Sequence, residues 1–510
     1  MSENILQIRY LSKLLANIIS IVINILITML IPRALGPAAF GNFEFLTNYF
    51  TRIINLLNMR TIIAFYTKLS QRPREFGLVS FYLTLSGLMA GILFLFVAVS
   101  NLLNIYTYLW PDQDLLYIYL GALWGALTIF FQVINKMADA YGLTVNAEVL
   151  RVILKVLGLG LILFLYFSGN LNLITLFIYH YILILFFCIA LVWFFSKKGY
   201  SLFKNWQITL KQNKKYAQEF IDYCHPLITY TIVGFIVGIL DMWLLQYFAG
   251  SIQQGFFGLG FKIGTICFLF TSAMTPLIHR EYAIAFEKND LKEIARLFRR
   301  YIPLLYAMAA YLSCFILMQV KTVTYIFGGE KFDSAIVVIS ILALYPMHQT
   351  YGQLSGTVFY ATGQTKLIRN INILFLLLGL PLTYIFLSHS NHFGLNLGAV
   401  GLALKMVLIQ FLAVNVQLFF NTRMLKLNYF HYLGHQIVCV VSLASIAYCT
   451  SYIIDAIMTP SSIIKNFILS GVIYTIFVMI TVWKIPVLFG LQSTDINRLL
   501  ELIQKRLFNK

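Results

Sequence analysis

The feature that most constrains this chain is a succession of apolar runs that continues almost from end to end. They are 19 to 29 residues long, and one α-helix needs about twenty to cross the hydrocarbon of a bilayer. The runs lie at 11–32, 39–60, 77–101, 115–137, 150–168, 172–196, 220–248, 254–277, 301–321, 334–358, 370–388, 398–421, 435–455 and 463–483. They predict an all-α integral membrane protein of about 14 transmembrane helices. Only 11% of the 510 residues are charged, against about 25% in a soluble protein. That leaves no room for a large soluble domain.

The net charge of +18 would suggest nucleic acid in a soluble protein. Here its distribution follows the spans and predicts no nucleic-acid partner. One set of loops carries Arg9 and Lys13, then Lys68, Arg72 and Arg74, then Lys197, Lys198, Lys204, Lys211, Lys214 and Lys215. It continues with Arg280 to Arg300, Lys366 and Arg369, Arg423 and Lys426, and a basic tail. The opposite loops hold only Arg33, Lys321, Lys331 and Lys465. This alternation predicts an even number of spans with both termini in the cytoplasm. Met1–Tyr10 is short and polar and leads into a run of full spanning length, so it reads as the approach to an uncleaved first span. The six cysteines lie in apolar segments without a C-x-x-C pair. They read as small core residues, with no metal site, disulfide framework or cofactor implied.

Polar residues inside the first two spans recur at helical spacing. Lys13, Asn17, Ser20, Asn24 and Thr28 share one face of the first; Glu44, Asn48, Thr51, Arg52, Asn55 and Asn58 share one face of the second. Lipid tails cannot solvate such stripes, and a charge at mid-bilayer costs at least about 2.5–3.5 kcal/mol. Two arrangements satisfy them: a water-filled cavity, as in a transporter, or a buried polar network that ties helices together.

An internal repeat organises the chain. Gly36-Pro-Ala-Ala-Phe-Gly41-Asn-Phe43 and Gly250-Ser-Ile-Gln-Gln-Gly255-Phe-Phe257 share G-x4-G-x-F between two spans. Ala140-Tyr-Gly142 and Ala361-Thr-Gly363 echo each other at the far ends of the fourth and tenth spans. The two offsets agree at roughly 200 residues, which predicts two six-helix lobes as a parallel pseudo-repeat around a central cavity. The expected divisions are a lobe at 1–196, a cytoplasmic linker at 197–219, a lobe at 220–434, two extra spans at 435–483 and an amphipathic tail at 484–510. The polar stretch 279–300 reads as an interfacial helix.

At these residues the chain resembles bacterial polysaccharide flippases of the multidrug/oligosaccharidyl-lipid/polysaccharide (MOP) exporter superfamily. The similarity rests on Ile31-Pro-Arg-Ala-Leu-Gly-Pro-Ala-Ala-Phe-Gly41, on Tyr325-Ile-Phe-Gly-Gly-Glu-Lys-Phe-Asp-Ser-Ala335 and on Leu397-Gly-Ala-Val-Gly401. It implies two lobes forming a V and working by alternating access. The implied substrate is a sugar chain joined through diphosphate to a polyprenyl lipid, carried from the inner to the outer leaflet of the cytoplasmic membrane. O-antigen or a related polysaccharide is the implied destination. A drug/cation antiporter or a peptidoglycan-precursor flippase of the same superfamily is the alternative.

Such a substrate needs cations for its phosphates and amides for its sugars. Arg52, Lys262 and Lys405 lie within spans and are the candidate cations, with Asn24, Asn48 and Asn55 as candidate sugar contacts. Lys136, Arg151 and Lys155 lie near the cytoplasmic mouth, where they either steer the anion or obey the positive-inside bias. Glu44 and Asp241 are candidates for ion coupling or for structural ion pairs. The deep charges lean basic, which favours an anionic substrate over a cationic one. His180, His225 and His348 stand alone in spans and read as packing hydrogen bonders. No phosphate-binding glycine loop, metal cluster or nucleophile constellation occurs, so no enzyme is predicted. The expected unit is a monomer in the bilayer, with other glycan-assembly membrane proteins as possible neighbours.

Overall fold

The computed structural model describes residues 3–200, 210–225, 228–457 and 463–491, and over these residues it is all-helical, without strands. Among them, twelve helices are long and apolar enough to cross a membrane. Two are too long for one crossing: Val22–Asn58 has 37 residues and Ile228–Ile266 has 39. At 1.5 Å per residue each is about 55 Å long, against a hydrocarbon core of about 30 Å. Each breaks at a single glycine, Gly36 (φ 74°, ψ 172°) and Gly250 (φ 76°, ψ −177°). Only glycine adopts that backbone conformation without large strain. Counted as two crossings each, the two long helices bring the candidate crossings among the described residues to about fourteen. The expected turn over 32–37 is narrower than its sequence suggests, because the first helix runs through Pro32 and breaks only at Gly36.

Three expected boundaries move. The second span stops at Asn58, where Met59 and Arg60 adopt positive φ, and a separate helix, Thr61–Gln71, follows. The seventh span begins at Ile228, not near 220, because Leu210–Cys224 is a helix of its own. The stretch 279–300 is not one interfacial helix. It is the meeting of Leu269–Glu287 with Leu291–Met318, the second of which is capped by the Asp290 carboxylate accepting from the Glu293 amide. Of the tail expected over 484–510, Pro486–Phe489 is a short 3-10 turn and 492–510 lie outside the described residues, as do 201–209 of the linker.

The chain divides into two compact units, Met1–Gly255 with Leu387–Gly398, and Phe256–Phe386 with Ala399–Lys510. In the first, Phe45, Leu46, Phe50 and Ile54 of the second span are buried. They approach Leu115–Ala140 closely because Gly121 and Gly125 face them; a Cβ on Gly121 would lie 2.6 Å from the Phe50 ring. Trp110 is fully buried, stacked on Phe50 at 5.6 Å and edge-on to Phe96 at 5.6 Å.

The two copies of G-x4-G meet within this unit. A Cβ on Gly41 would overlap the Ser251 carbonyl oxygen and lie 2.8 Å from the Gly255 nitrogen. A Cβ on Gly255 would overlap the Pro37 carbonyl oxygen. The contact is reciprocal: in each copy, the residue after the break touches the second glycine of the other copy. Side chains brace it, with Gln113 Nε2 donating to Asn42 Oδ1 at 2.8 Å and Gln246 Nε2 to Ser251 Oγ at 2.9 Å. The second echo also has matched geometry. Gly142 (φ 73°) and Gly363 (φ 71°) are left-handed helix ends, closed by Leu143 N–H to Ala138 C=O and by Gln364 N–H to Phe359 C=O, both at 2.8 Å.

Leu210–Cys224 packs on the first unit through a stripe at four-residue spacing, Tyr216, Phe220 and Cys224, all buried. Phe220 stacks on Tyr82 at 5.5 Å. Polar contacts orient the helix: Arg72 Nη2 donates to Glu219 at 2.6 Å, and the Tyr216 hydroxyl donates to Glu75 at 2.8 Å. The hydrogen bond from Arg72 holds the Glu219 carboxyl below its ordinary value of 4.5, against the opposing effect of burial. A lowered folded pKa means a contribution fully present above the ordinary value and lost as pH falls through the folded one. For this half-exposed pair it amounts to about 1 kcal/mol. Acidification from about pH 7 to about pH 3 is expected to lower hydrogen-exchange protection of 210–224 relative to Leu115–Ala140. Glu219→Gln should abolish that pH dependence; equal protection of the wild type at both pH values would refute it.

In the second unit, Leu291–Met318 is central. Tyr306, Ala310 and Cys314 share one buried cluster with Met347 and Tyr351, and also with Cys439, Leu443, Tyr474 and Val478 of the last two spans. Tyr311 stacks on Tyr474 at 5.0 Å, and Gln319 Nε2 donates to Ser451 Oγ at 2.8 Å. The last two spans are thus built into this core. Leu488 and Phe489, just beyond them, join the same cluster.

Candidate functional site

The polar stripe on the second span divides by role. Asn58 is buried, and its Oδ1 accepts from the Ile62 amide at 2.9 Å and from Thr61 at 2.6 Å. It starts the next helix and is not open to a substrate. Thr51 accepts from Trp124 Nε1 at 3.1 Å. Glu44, Asn48 and Arg52 are half-buried and Asn55 is exposed; Asn48 Nδ2 donates to the Glu44 carbonyl at 2.8 Å. On the first span Ser20 is buried, Asn24 exposed and Thr28 half-buried, its hydroxyl donating to the Asn24 carbonyl at 2.7 Å. Lys13 and Asn17 lie outside the described side chains. The stripes therefore combine packing residues with amides and a cation that keep accessible surface.

Arg52 lies within the second span and feels the charge of Asp241 on the Ile228–Ile266 helix. Both belong to the first unit. Lys262 belongs to the second unit and is half-buried there. Lys405, also in the second unit, is only 5% exposed. Its Cε lies 2.7 Å from the position a Cβ on Gly379 would take, so it is enclosed between Thr365–Leu387 and Gly398–Met424.

Arg151 and Lys155, expected at the mouth, form part of a charged network on the fourth and fifth spans. Arg151 donates to Glu148 at 2.6 Å and to Asn135 at 2.8 Å. Lys155 lies in the field of both Arg151 and Glu148. Lys136 pairs with Asp139 at 3.7 Å, and Asp139 accepts from Thr144 at 3.2 Å. Glu148 is 4% exposed and escaped the sequence reading. Its signal was present, since Glu148, Arg151 and Lys155 fall at i, i+3 and i+7 on one helical face.

His180 stacks on Phe43 at 5.3 Å and meets Trp124 edge-on at 5.2 Å. His348 meets Phe411 edge-on at 5.1 Å, and His225 is exposed. A groove of about 720 Å³ beside Tyr311, Phe315, Tyr474 and Trp483 holds no charged side chain, so it offers nothing to a phosphate.

No protein-family model matches the chain, and no curated protein matches it. Solved structures do. An inward-facing multidrug resistance MATE family transporter of the MOP superfamily aligns with TM-score 0.64 and 14% identity, over 82% of this chain and 98% of that one. The lipid II flippase MurJ, in an inward closed conformation, aligns with TM-score 0.66 and 13% identity, over 93% of this chain and 98% of that one. A MOP superfamily transporter from Pyrococcus furiosus, described as having a binding pocket of reverse polarity, aligns with TM-score 0.53 and 14% identity, over 82% and 95%. The chain has the fold of MOP-superfamily transporters.

Proposed function

We propose, on the premise of that fold, that the chain is a flippase, not an enzyme. It carries a polyprenyl-diphosphate-linked oligosaccharide, destined for O-antigen or a related surface polysaccharide, across the bacterial cytoplasmic membrane by alternating access. Both termini lie in the cytoplasm. The observation that carries this reading is Arg52: a half-buried guanidinium inside a span, with the accessible amides of Asn48 and Asn55 on the same helical face. A guanidinium grips phosphate oxygens bidentately, and amides suit sugar hydroxyls. Lys262, in the second unit, is the other proposed substrate cation, where an ammonium acts as a point charge for phosphate. Asp241 and Glu44 take the ion-coupling role. Two further facts favour a lipid carrier over a drug/cation antiporter. The aligned flippase covers 93% of this chain and the MATE transporter 82%. The last two spans belong to the core of the second unit.

The test is the double variant Arg52→Ala with Lys262→Ala in cells, with its membrane level checked. Accumulation of lipid-linked sugar on the inner face, with loss of surface glycan, is the expected result. Normal surface glycan with reduced cation or dye efflux would replace this reading with the antiporter. Failure of peptidoglycan synthesis alone would point to its precursor as the cargo.

A further inference from the structure

Gly234 and Gly238 lie one turn apart on the span that begins at Ile228, and their surroundings differ. A Cβ on Gly234 would meet nothing within 4 Å. A Cβ on Gly238 would overlap Arg52 Nη1 and would lie 2.6 Å from Cζ and 3.3 Å from Nε. Real Cβ atoms essentially never approach heavy atoms closer than 3.0 Å. The Arg52 guanidinium therefore occupies the volume that any side chain at 238 would need.

Gly238 is not a helix-packing glycine of the kind seen at Gly41 and Gly255. There the atoms nearest the missing Cβ are backbone atoms of another helix; at Gly238 all three belong to one side chain. At Gly234, Gly87 and Gly91 a Cβ would meet nothing within 4 Å, so the contact with a charged side chain is what sets Gly238 apart from them. Asp241 follows three residues later, on the same side of the helix, and acts electrostatically on Arg52. Notch and carboxylate together define where a long, four-torsion side chain rests.

We infer that Gly238 is the positioning residue for Arg52: its bare Cα forms a seat that holds the guanidinium ready for a diphosphate. The inference rests on the reading of Arg52 as a substrate cation. A cation already in place loses less freedom on binding than one that must be ordered, and its planar fork recognises phosphate only when aimed. Arg52 is at the flexible end of the clash, so Gly238→Ala should fold with the guanidinium displaced.

The test uses the full-length protein in nanodiscs and farnesyl diphosphate, a short prenyl lipid that presents the diphosphate without the sugar, as the calorimetric probe. Arg52→Ala should weaken binding at least ten-fold. Gly238→Ala should weaken it by a similar factor, while Gly234→Ala stays within two-fold of wild type. In the Arg52→Ala background the seat is vacant, so Gly238→Ala should raise the thermal midpoint much as Gly234→Ala does. It should do so even if the single Gly238→Ala variant fails to fold. Unchanged affinity in Arg52→Ala would overturn the substrate reading itself. Loss of affinity in Arg52→Ala but not in Gly238→Ala would overturn the seat alone. So would a Gly238→Ala defect in folding or midpoint that persists without the Arg52 side chain.

Discussion

Gly41→Ala is expected to destabilise the protein by at least about 3 kcal/mol, the upper end of ordinary overpacking, and Gly255→Ala by a comparable amount. The added atom is itself the clash. It would overlap a carbonyl oxygen of the facing turn, and neither partner can rotate away because both are backbone. Helix propensity predicts the opposite sign, since alanine stabilises a helix interior by about 1 kcal/mol relative to glycine. The controls are Gly87→Ala and Gly91→Ala on Phe76–Leu102, where a Cβ would meet nothing within 4 Å. These should be neutral or stabilising. Thermal unfolding of the four purified variants decides the matter. If Gly41→Ala and Gly255→Ala behaved like the controls, the two turns would not touch as described. The reciprocal contact also predicts that the double variant costs less than the sum of the singles, because one separation of the turns relieves both clashes.

Glu148→Ala should cost about 3 kcal/mol, the lower end of the range for breaking a buried ion pair. The lower end applies because the Arg151 side chain keeps 26% of its surface exposed while that of Glu148 keeps 6%. The loss comes from Arg151, which keeps its bond to Asn135 but loses its counter-charge inside a span, with Lys155 close by. Removing both charges should be cheaper: Glu148→Ala with Arg151→Ala is expected to recover at least half of the lost stability. A thermal midpoint for the double variant no higher than that of Glu148→Ala would show that the pair carries no such coupling.

Much of the fold was legible because a bilayer imposes one-dimensional rules. Span length, the rarity of charge and the exclusion of polar side chains from lipid are all written along the chain. That is why about fourteen crossings can be counted from apolar runs, a number compatible with twelve apolar helices among the described residues, two of them long and broken at Gly36 and Gly250. Boundaries failed where an amphipathic helix adjoined a span. Phe220 and Cys224 extended the apparent seventh run backwards, although Phe220 packs sideways on Tyr82 and Phe81. The hairpin of Leu269–Glu287 and Leu291–Met318 was misread because its charged residues sit on helices that continue past the apolar stretches.

The site was legible as a set of faces and not as a set of neighbours. Spacing put Glu44, Asn48, Arg52, Asn55 and Asn58 on one side of a helix, yet could not say that Asn58 starts the following helix while Asn55 stays exposed. It identified Lys405 as a cation in a span but not its enclosure against Gly379, and it passed over the buried Glu148 beside Arg151. By itself, the sequence determined the membrane-spanning all-α class, the approximate number of crossings and the faces on which polar groups lie. Those follow from local periodicity and from a solvent that rejects charge. Tertiary structure alone decided which carbonyl fills the space beside Gly41, which carboxylate neutralises Arg151 and which bare backbone receives Arg52. The reason is geometric: helical periodicity specifies the direction in which a side chain leaves its axis, and only the packing of other helices specifies what it meets there.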